Sequence, residues 1–346
     1  MDASILLILV QDGVVNGAIY ALLALSLVLV FTVTRIVFIP QGELVAYGAL
    51  TYATLNAGHV PGSVFLLCGL GMMAGVQAVA TGWRTISGAQ VLRIVLGTML
   101  LPAAALAATV WEASRRDGAL AAALVSLLVV APMAPYLYRI AFQPLAERSV
   151  LVLLIAAVGV HLSLVGLGLV FFGPEGFRGD AFSDGVATIG ALIIPAQAIW
   201  IFGTTAVLMI LLALFFSLTL RGKALRATAV NRLGARLVGI SAAQSGQVAF
   251  GLAGLIGALS GVLIVPLTTI YYDSGFVIGL KGFVAAIVGG LASYPWAVLA
   301  ALLVGIGESV SSFYASAFKE VIVFGAIIPV LLIRSLAGVA VTEDET

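Results

Sequence analysis

In a chain of 346 residues, 62% are hydrophobic and only 9% are Asp, Glu, Lys or Arg, against roughly 25% charged in an ordinary soluble domain, which excludes a water-soluble globule. The formal net charge of +1 leaves no basic field to recruit nucleic acid and no acidic tail to solvate a disordered arm. A single cysteine, Cys68, excludes an intrachain disulfide and a multi-cysteine metal site.

The N-terminus carries only Asp2 and Asp12 as charges, without a positive n-region or a small-residue cleavage site, so its first apolar run reads as a retained membrane helix. A bilayer core about 30 Å thick takes about 20 apolar residues per helix. Eleven such segments follow in order: 13–34, 36–55, 62–81, 90–111, 118–139, 149–172, 191–220, 244–272, 275–292, 295–314 and 319–338. They predict an all-α polytopic integral membrane protein, one transmembrane domain over 1–346 with about 10–11 transmembrane or re-entrant helices. The seventh and eighth are long enough to tilt. The ninth, rich in glycine from Gly275 to Gly290, has the character of a broken or re-entrant helix, which survives at membrane depth only inside protein or beside water.

Arg and Lys set the orientation, because cationic loops stay in the cytoplasm. Placing 221–243 inside puts Arg221, Lys223, Arg226, Arg232, Arg236, Arg35, Arg84, Arg139 and Arg148 on one side. Asp2, Asp12, His59, the Glu112–Asp117 cluster and the acidic loop Glu175–Asp184 fall on the other. The N-terminus is then outside and the tail Thr342–Thr346 inside. The polar stretches 173–185 and 221–243 are too small for a nucleotide-binding domain, and no G-x-x-x-x-G-K-[ST] loop occurs. Any ATP hydrolysis therefore belongs to another chain.

Ionisable groups inside helices cost about 2.5–3.5 kcal/mol at the helix centre and need an explanation. Lys281 and Glu308 each stand about six residues from the outer ends of consecutive segments, roughly 9 Å deep, and are expected to pair. His161 falls at the midpoint of the sixth segment, where it either packs with a neighbour or lines a route. Glu43 opens the second segment near Arg35 at the inner face, in a structural or a gating role. Gly13/Gly17 and Gly257/Gly261 have the spacing that lets helix backbones approach in lipid. The inner loop begins with a basic Ala/Leu-rich helical run broken by Asn231 and Gly234, suited either to docking on a cytoplasmic partner or to anchoring on anionic headgroups.

That loop, Gly222-x-x-x-Arg226-Ala227-x-Ala229-x-Asn231-x-x-x-Ala235-x-x-x-Gly239-Ile240, resembles the coupling segment of permeases from branched-chain amino acid ABC importers. The resemblance extends to Gly13, Gly17 and Tyr20-Ala21-Leu22, to Gly42-Glu43 and to Phe142-Gln143-Pro144-Leu145. It continues through Ser260–Leu263, Lys281-Gly282-Phe283, Val288-Gly289-Gly290 and Gly305-Ile306-Gly307-Glu308. Between 56 and 135 the chain is longer than this family leads one to expect, by about a helix pair. Pro40-Gln41 and Trp296 also depart from its pattern.

The resemblance implies a permease subunit that imports branched-chain or related amino acids across a bacterial inner membrane and holds no cofactor of its own. ATP and Mg would reside on two cytoplasmic ATPase subunits, with a second homologous permease and an extracytoplasmic solute-binding protein completing the assembly. It assigns Gly222, Arg226, Ala227, Asn231, Arg232 and Gly239 to ATPase coupling. Tyr20, Glu43, His161, Lys281 and Glu308 are the candidates for the path or for buried polar contacts. The rival reading is an ion-coupled secondary transporter in which Glu43, His161, Lys281 or Glu308 holds the ion, with no ATPase. A membrane enzyme is disfavoured, since the two histidines, His59 and His161, lie far apart.

Overall fold

The computed structural model describes residues 3–82, 87–189, 192–291 and 293–336; Asp2, Arg84 and Thr342–Thr346, used above for orientation, lie outside the described residues. Eight helical stretches among them are long and apolar enough to cross a membrane. These are α1 (Ala3–Thr34), α3 (Ser63–Gly82), α4 (Gly88–Arg115), the stretch from α5 (Ala119–Val130) through α6 (Met133–Leu137) to Leu145, α7 (Val150–Phe172), α8 (Ala196–Leu218), α11 (Ala242–Ile264) and α13 (Tyr294–Tyr314). Between α8 and α11 lie α9 (Leu220–Val230) and α10 (Arg232–Leu237). The second and ninth expected segments are the shorter α2 (Gln41–Asn56) and α12 (Ser274–Val288), and the last divides at Ala326 into α14 (Lys319–Gly325) and α15 (Ile327–Leu336).

Two expected boundaries are corrected. Residues 192–195 are not helical but form β2 (Leu192–Pro195), antiparallel to β1 (Val186–Ile189). The eighth segment stops at Ile264, because Pro266 has no N–H to offer the carbonyl of Val262; the chain then returns through Ile270, which bridges to Phe177. The elbow of α9 and α10 lies at one end of the bundle with Ala146 and Glu147. At the other end Arg116 donates to the Ala57 carbonyl and Tyr52 to that of Asp180.

The centre is glycine-packed. The α1 span is 83% buried, whereas α4 and α8 are 17% buried over their most apolar windows, so α1 is the core and those two face the surroundings. Along α1 a Cβ on Gly13 would lie 2.5 Å from Ile306 Cα, and one on Gly17 2.8 Å from Leu302 Cα, so α13 approaches to backbone contact.

The entrance to α2 is the main departure from a plain bundle. Arg35 ends α1 with φ 61°, and residues 36–40 then run non-helically into protein, with Ile36 and Phe38 buried and Phe38 packed against Phe142 and Phe250. The run closes in a turn at Ile39 and Pro40, where Gln41 N–H donates to the Phe38 carbonyl at 3.1 Å. Gln41 Nε2 reaches the carbonyl of Ala253, the middle residue of α11, at 3.0 Å. So α2 starts halfway along the bundle, and non-helical backbone is tolerated there because protein surrounds it.

The stretch 56–135 forms α3, α4 and α5 with α6. Pro102 interrupts α4, leaving the Thr98 carbonyl without its helical donor; Tyr136 Oη donates to that carbonyl at 2.8 Å instead. Tyr136→Phe is expected to cost about 1–3 kcal/mol, the usual penalty for an orphaned buried acceptor. Thermal unfolding in detergent measures it, and in a Pro102→Ala background, where the N–H is restored, the loss should largely vanish. A loss of equal size in both backgrounds would refute the assignment.

Candidate functional site

Three groups of side chains answer to the expectations, and the first lies where α2 begins. The first turns of α2 and α12 cross at Gly42, Gly275 and Gly279: a Cβ on Gly42 would collide with the Gly275 carbonyl, and one on Gly279 would lie 2.8 Å from Gly42 Cα. Only paired glycines allow two helix N-termini to meet this closely. Glu43, in the first turn of α2, is fully buried there. Its Oε1 is 3.1 Å from Nδ1 of His161, the middle residue of α7.

This corrects the placement of Glu43 at the inner face; the non-helical run 36–40 carries it to mid-bundle. The contact has ion-pair distance without hydrogen-bond alignment, and neither Glu43 oxygen has a hydrogen-bond donor among the described residues. His161 packs on Phe276 with ring centroids 4.8 Å apart, and Asp273 stands at the N-cap of α12, exposed. Two helix N-termini bring positive dipole ends to this point. Discontinuous helices meeting halfway through a bundle are the arrangement in which transporters commonly hold solutes or ions.

The second group bears out the expected contact of Lys281 with Glu308 and enlarges it. Lys281 Nζ is 2.5 Å from Glu308 Oε1 and 3.2 Å from Glu320 Oε1, and Tyr20 Oη donates to Glu308 Oε2 at 2.6 Å. One ammonium thereby ties α1, α12, α13 and α14. The expectation that both partners lie at one depth is corrected. Gly282 packs against Leu23 in the body of α1, so Lys281 starts deeper than Glu308, and its long side chain makes up the difference.

The third group is the elbow. Thr219 Oγ1 accepts from Gly222 N–H at 2.9 Å and caps α9; Asn231 Oδ1 accepts from Gly234 N–H at 2.8 Å and caps α10. Asn231 thus breaks the helical run as its sequence position indicates, whereas Gly234 lies inside α10. Gly222, Leu225 and Thr228 are buried, with Leu225 seated on Leu29, Val33 and Ala249. Arg226, Ala227, Asn231 and Gly239 are exposed, and Gly239 turns the chain toward α11 with φ 86°. Arg232 departs from them: its guanidinium points back to the Ala146 carbonyl, 3.5 Å away.

Asp273 and Glu320 were not singled out by sequence, and Gln41 was marked only as a departure from the family pattern. Asp273 and Glu320 sit at helix starts beside turns, where carboxylates are ordinary. Among the described residues no group of three or more His, Cys, Asp or Glu is placed to hold a metal ion.

Residues 89–333 match the family described as "Branched-chain amino acid transport system / permease component". The high-affinity branched-chain amino acid transport system permease protein LivH of Escherichia coli K12 is 27% identical over 331 residues, covering 93% of this chain and 91% of that protein. The corresponding permease protein BraD of Pseudomonas aeruginosa is 30% identical over 223 residues, 62% of this chain and 72% of its own. A probable LivH permease of Methanocaldococcus jannaschii is 28% identical over 221 residues, 60% of this chain and 68% of its own. With its polytopic helical bundle and a family match over most of its length, this chain belongs to the permease component family of branched-chain amino acid transport systems.

Proposed function

We propose that this chain is the membrane subunit of an ATP-driven importer of branched-chain or related amino acids, paired with a second homologous permease. Two cytoplasmic ATPase subunits dock on α9 and α10, and an extracytoplasmic binding protein delivers the solute. The observation that carries this reading is the elbow, an amphipathic helix anchored through Leu225 to α1 and α11 with Arg226 and Ala227 left exposed. Such a helix can pass a partner's motion to the bundle while the chain performs no covalent chemistry. With the elbow cytoplasmic, the N-terminus is outside and the C-terminus inside. An additional helix pair within 56–135 preserves this sidedness.

The solute passes the junction of α2 and α12, where Glu43 and His161 offer the buried polar contacts. Reconstituted in vesicles with its partners, the complex should take up leucine only when ATP and the binding protein are supplied. Uptake driven by a proton or sodium gradient without an ATPase would establish the ion-coupled alternative. Glu43→Gln keeps the side chain's volume and should lower uptake at least tenfold while the ATPases still co-purify. Uptake at the normal rate would reduce the Glu43–His161 contact to a packing role.

A further inference from the structure

At the elbow end a recess of about 550 Å³ lies between α10, the link Gln143–Arg148 and the start of α11. Its volume falls in the range of ligand pockets. Arg148, Arg232 and Arg236 line it together with Tyr138 and Gln143, and Glu147 is the one carboxylate on its wall. Three cations therefore face one anion, and that anion compensates little: the Glu147 side chain is 79% exposed where it meets Arg236 at 3.2 Å, a solvated pair of small worth. The Arg232 Nε is buried and has no hydrogen-bond partner among the described residues. Burial first, and then the Arg236 charge, hold the Arg232 pKa below its usual value, with Arg35 adding to the effect.

Two long helices add to the same field. Arg148 stands next to Ser149, the N-cap of α7, and Ala242 and Ala243 are the first residues of α11, each helix being 23 residues long. Both direct the positive ends of their dipoles at the recess, an arrangement that attracts anions. Planar guanidinium groups match the oxygens of a phosphate. In the proposed orientation the recess lies at the cytoplasmic ends of α7 and α11, at the depth of lipid headgroups.

The geometry points to a binding site for a phosphate-bearing anion in this recess, held by Arg148, Arg232 and Arg236 between the N-termini of α7 and α11. The phosphate comes either from an anionic lipid headgroup or from a soluble molecule, and one set of measurements separates the sources. The full chain, purified in detergent with its accompanying subunits, is equilibrated with phosphatidylglycerol or phosphatidylcholine vesicles and its retained lipid read by native mass spectrometry. In parallel, inorganic phosphate and glycerol phosphate are titrated while the unfolding temperature is followed.

Wild type should retain phosphatidylglycerol at least tenfold over phosphatidylcholine. Arg148→Gln with Arg236→Gln should lose that preference, Arg148→Lys with Arg236→Lys should keep most of it, and Lys223→Gln, outside the recess, should leave it intact. A shift with inorganic phosphate that the glutamine variant loses, without lipid retention, identifies a soluble anion. Neither response in wild type, or the same response in the glutamine variant eluting as wild type does, overturns the site. These readouts do not involve transport, so they stand or fall apart from the ATPase reading.

Discussion

Lys281→Met is expected to be the most damaging of the conservative buried substitutions, lowering subunit stability by about 3–5 kcal/mol, the cost of breaking a buried ion pair from one side. The reason is that one ammonium serves two carboxylates. Without it Glu308, which is 9% exposed, and Glu320 face each other across the space Lys281 occupied. Glu308→Gln should be milder. It leaves Lys281 bonded to Glu320 and leaves Tyr20 a partner in the new amide.

Sequence spacing alone paired Lys281 with Glu308; the third carboxylate, Glu320, makes the two partners unequal. The Glu320 side chain is 38% exposed, so its share is reduced by solvent and Glu308 remains the principal partner. Adding Glu308→Gln to Lys281→Met should therefore recover much of the loss. Unfolding curves in a single detergent decide the matter, and equal losses for Lys281→Met and the double variant would falsify the coupling.

Gly222→Val is expected to cut ATP-driven uptake at least tenfold while the subunit still inserts and assembles. A Cβ at position 222 would collide with the Phe215 carbonyl and lie 2.7 Å from Phe216 Cα, both backbone groups of α8. Backbone of a packed span cannot give way, so α9 must move. The elbow holds to the bundle through few side chains, Leu225 and Thr228 chief among them, so displacement costs about 1–3 kcal/mol, as overpacking does. The bundle survives that loss, but α9, the docking helix in the proposed function, presents Arg226 and Ala227 out of register. Uptake and ATP hydrolysis measured on the same vesicles should show hydrolysis continuing without transport. Normal uptake would show that the position of α9 is immaterial.

Much of the architecture was legible beforehand, and the failures have definite causes. Apolar run length located the span-length helices because lipid imposes one thickness on all of them. It misplaced the start of α2 because residues 36–40 are as apolar as a helix would be, and hydropathy does not register backbone conformation. Pro40, which cannot donate a backbone N–H, was the available sign that the helix begins later. The seventh segment was overextended for the same reason, since the strand Leu192–Pro195 is apolar too.

Composition and the order of its motifs were enough to establish a polytopic membrane permease with a cationic elbow, because solvent preference and helix capping act on neighbouring residues along the chain. Packing alone brought Glu43 to His161, gave Lys281 a second carboxylate in Glu320, and turned Arg232 into a recess with Arg148 and Arg236. Those encounters join residues tens to hundreds of positions apart. They depend on how closely glycine-faced helices approach and where a non-helical segment sets the depth of the next helix, which no local pattern encodes.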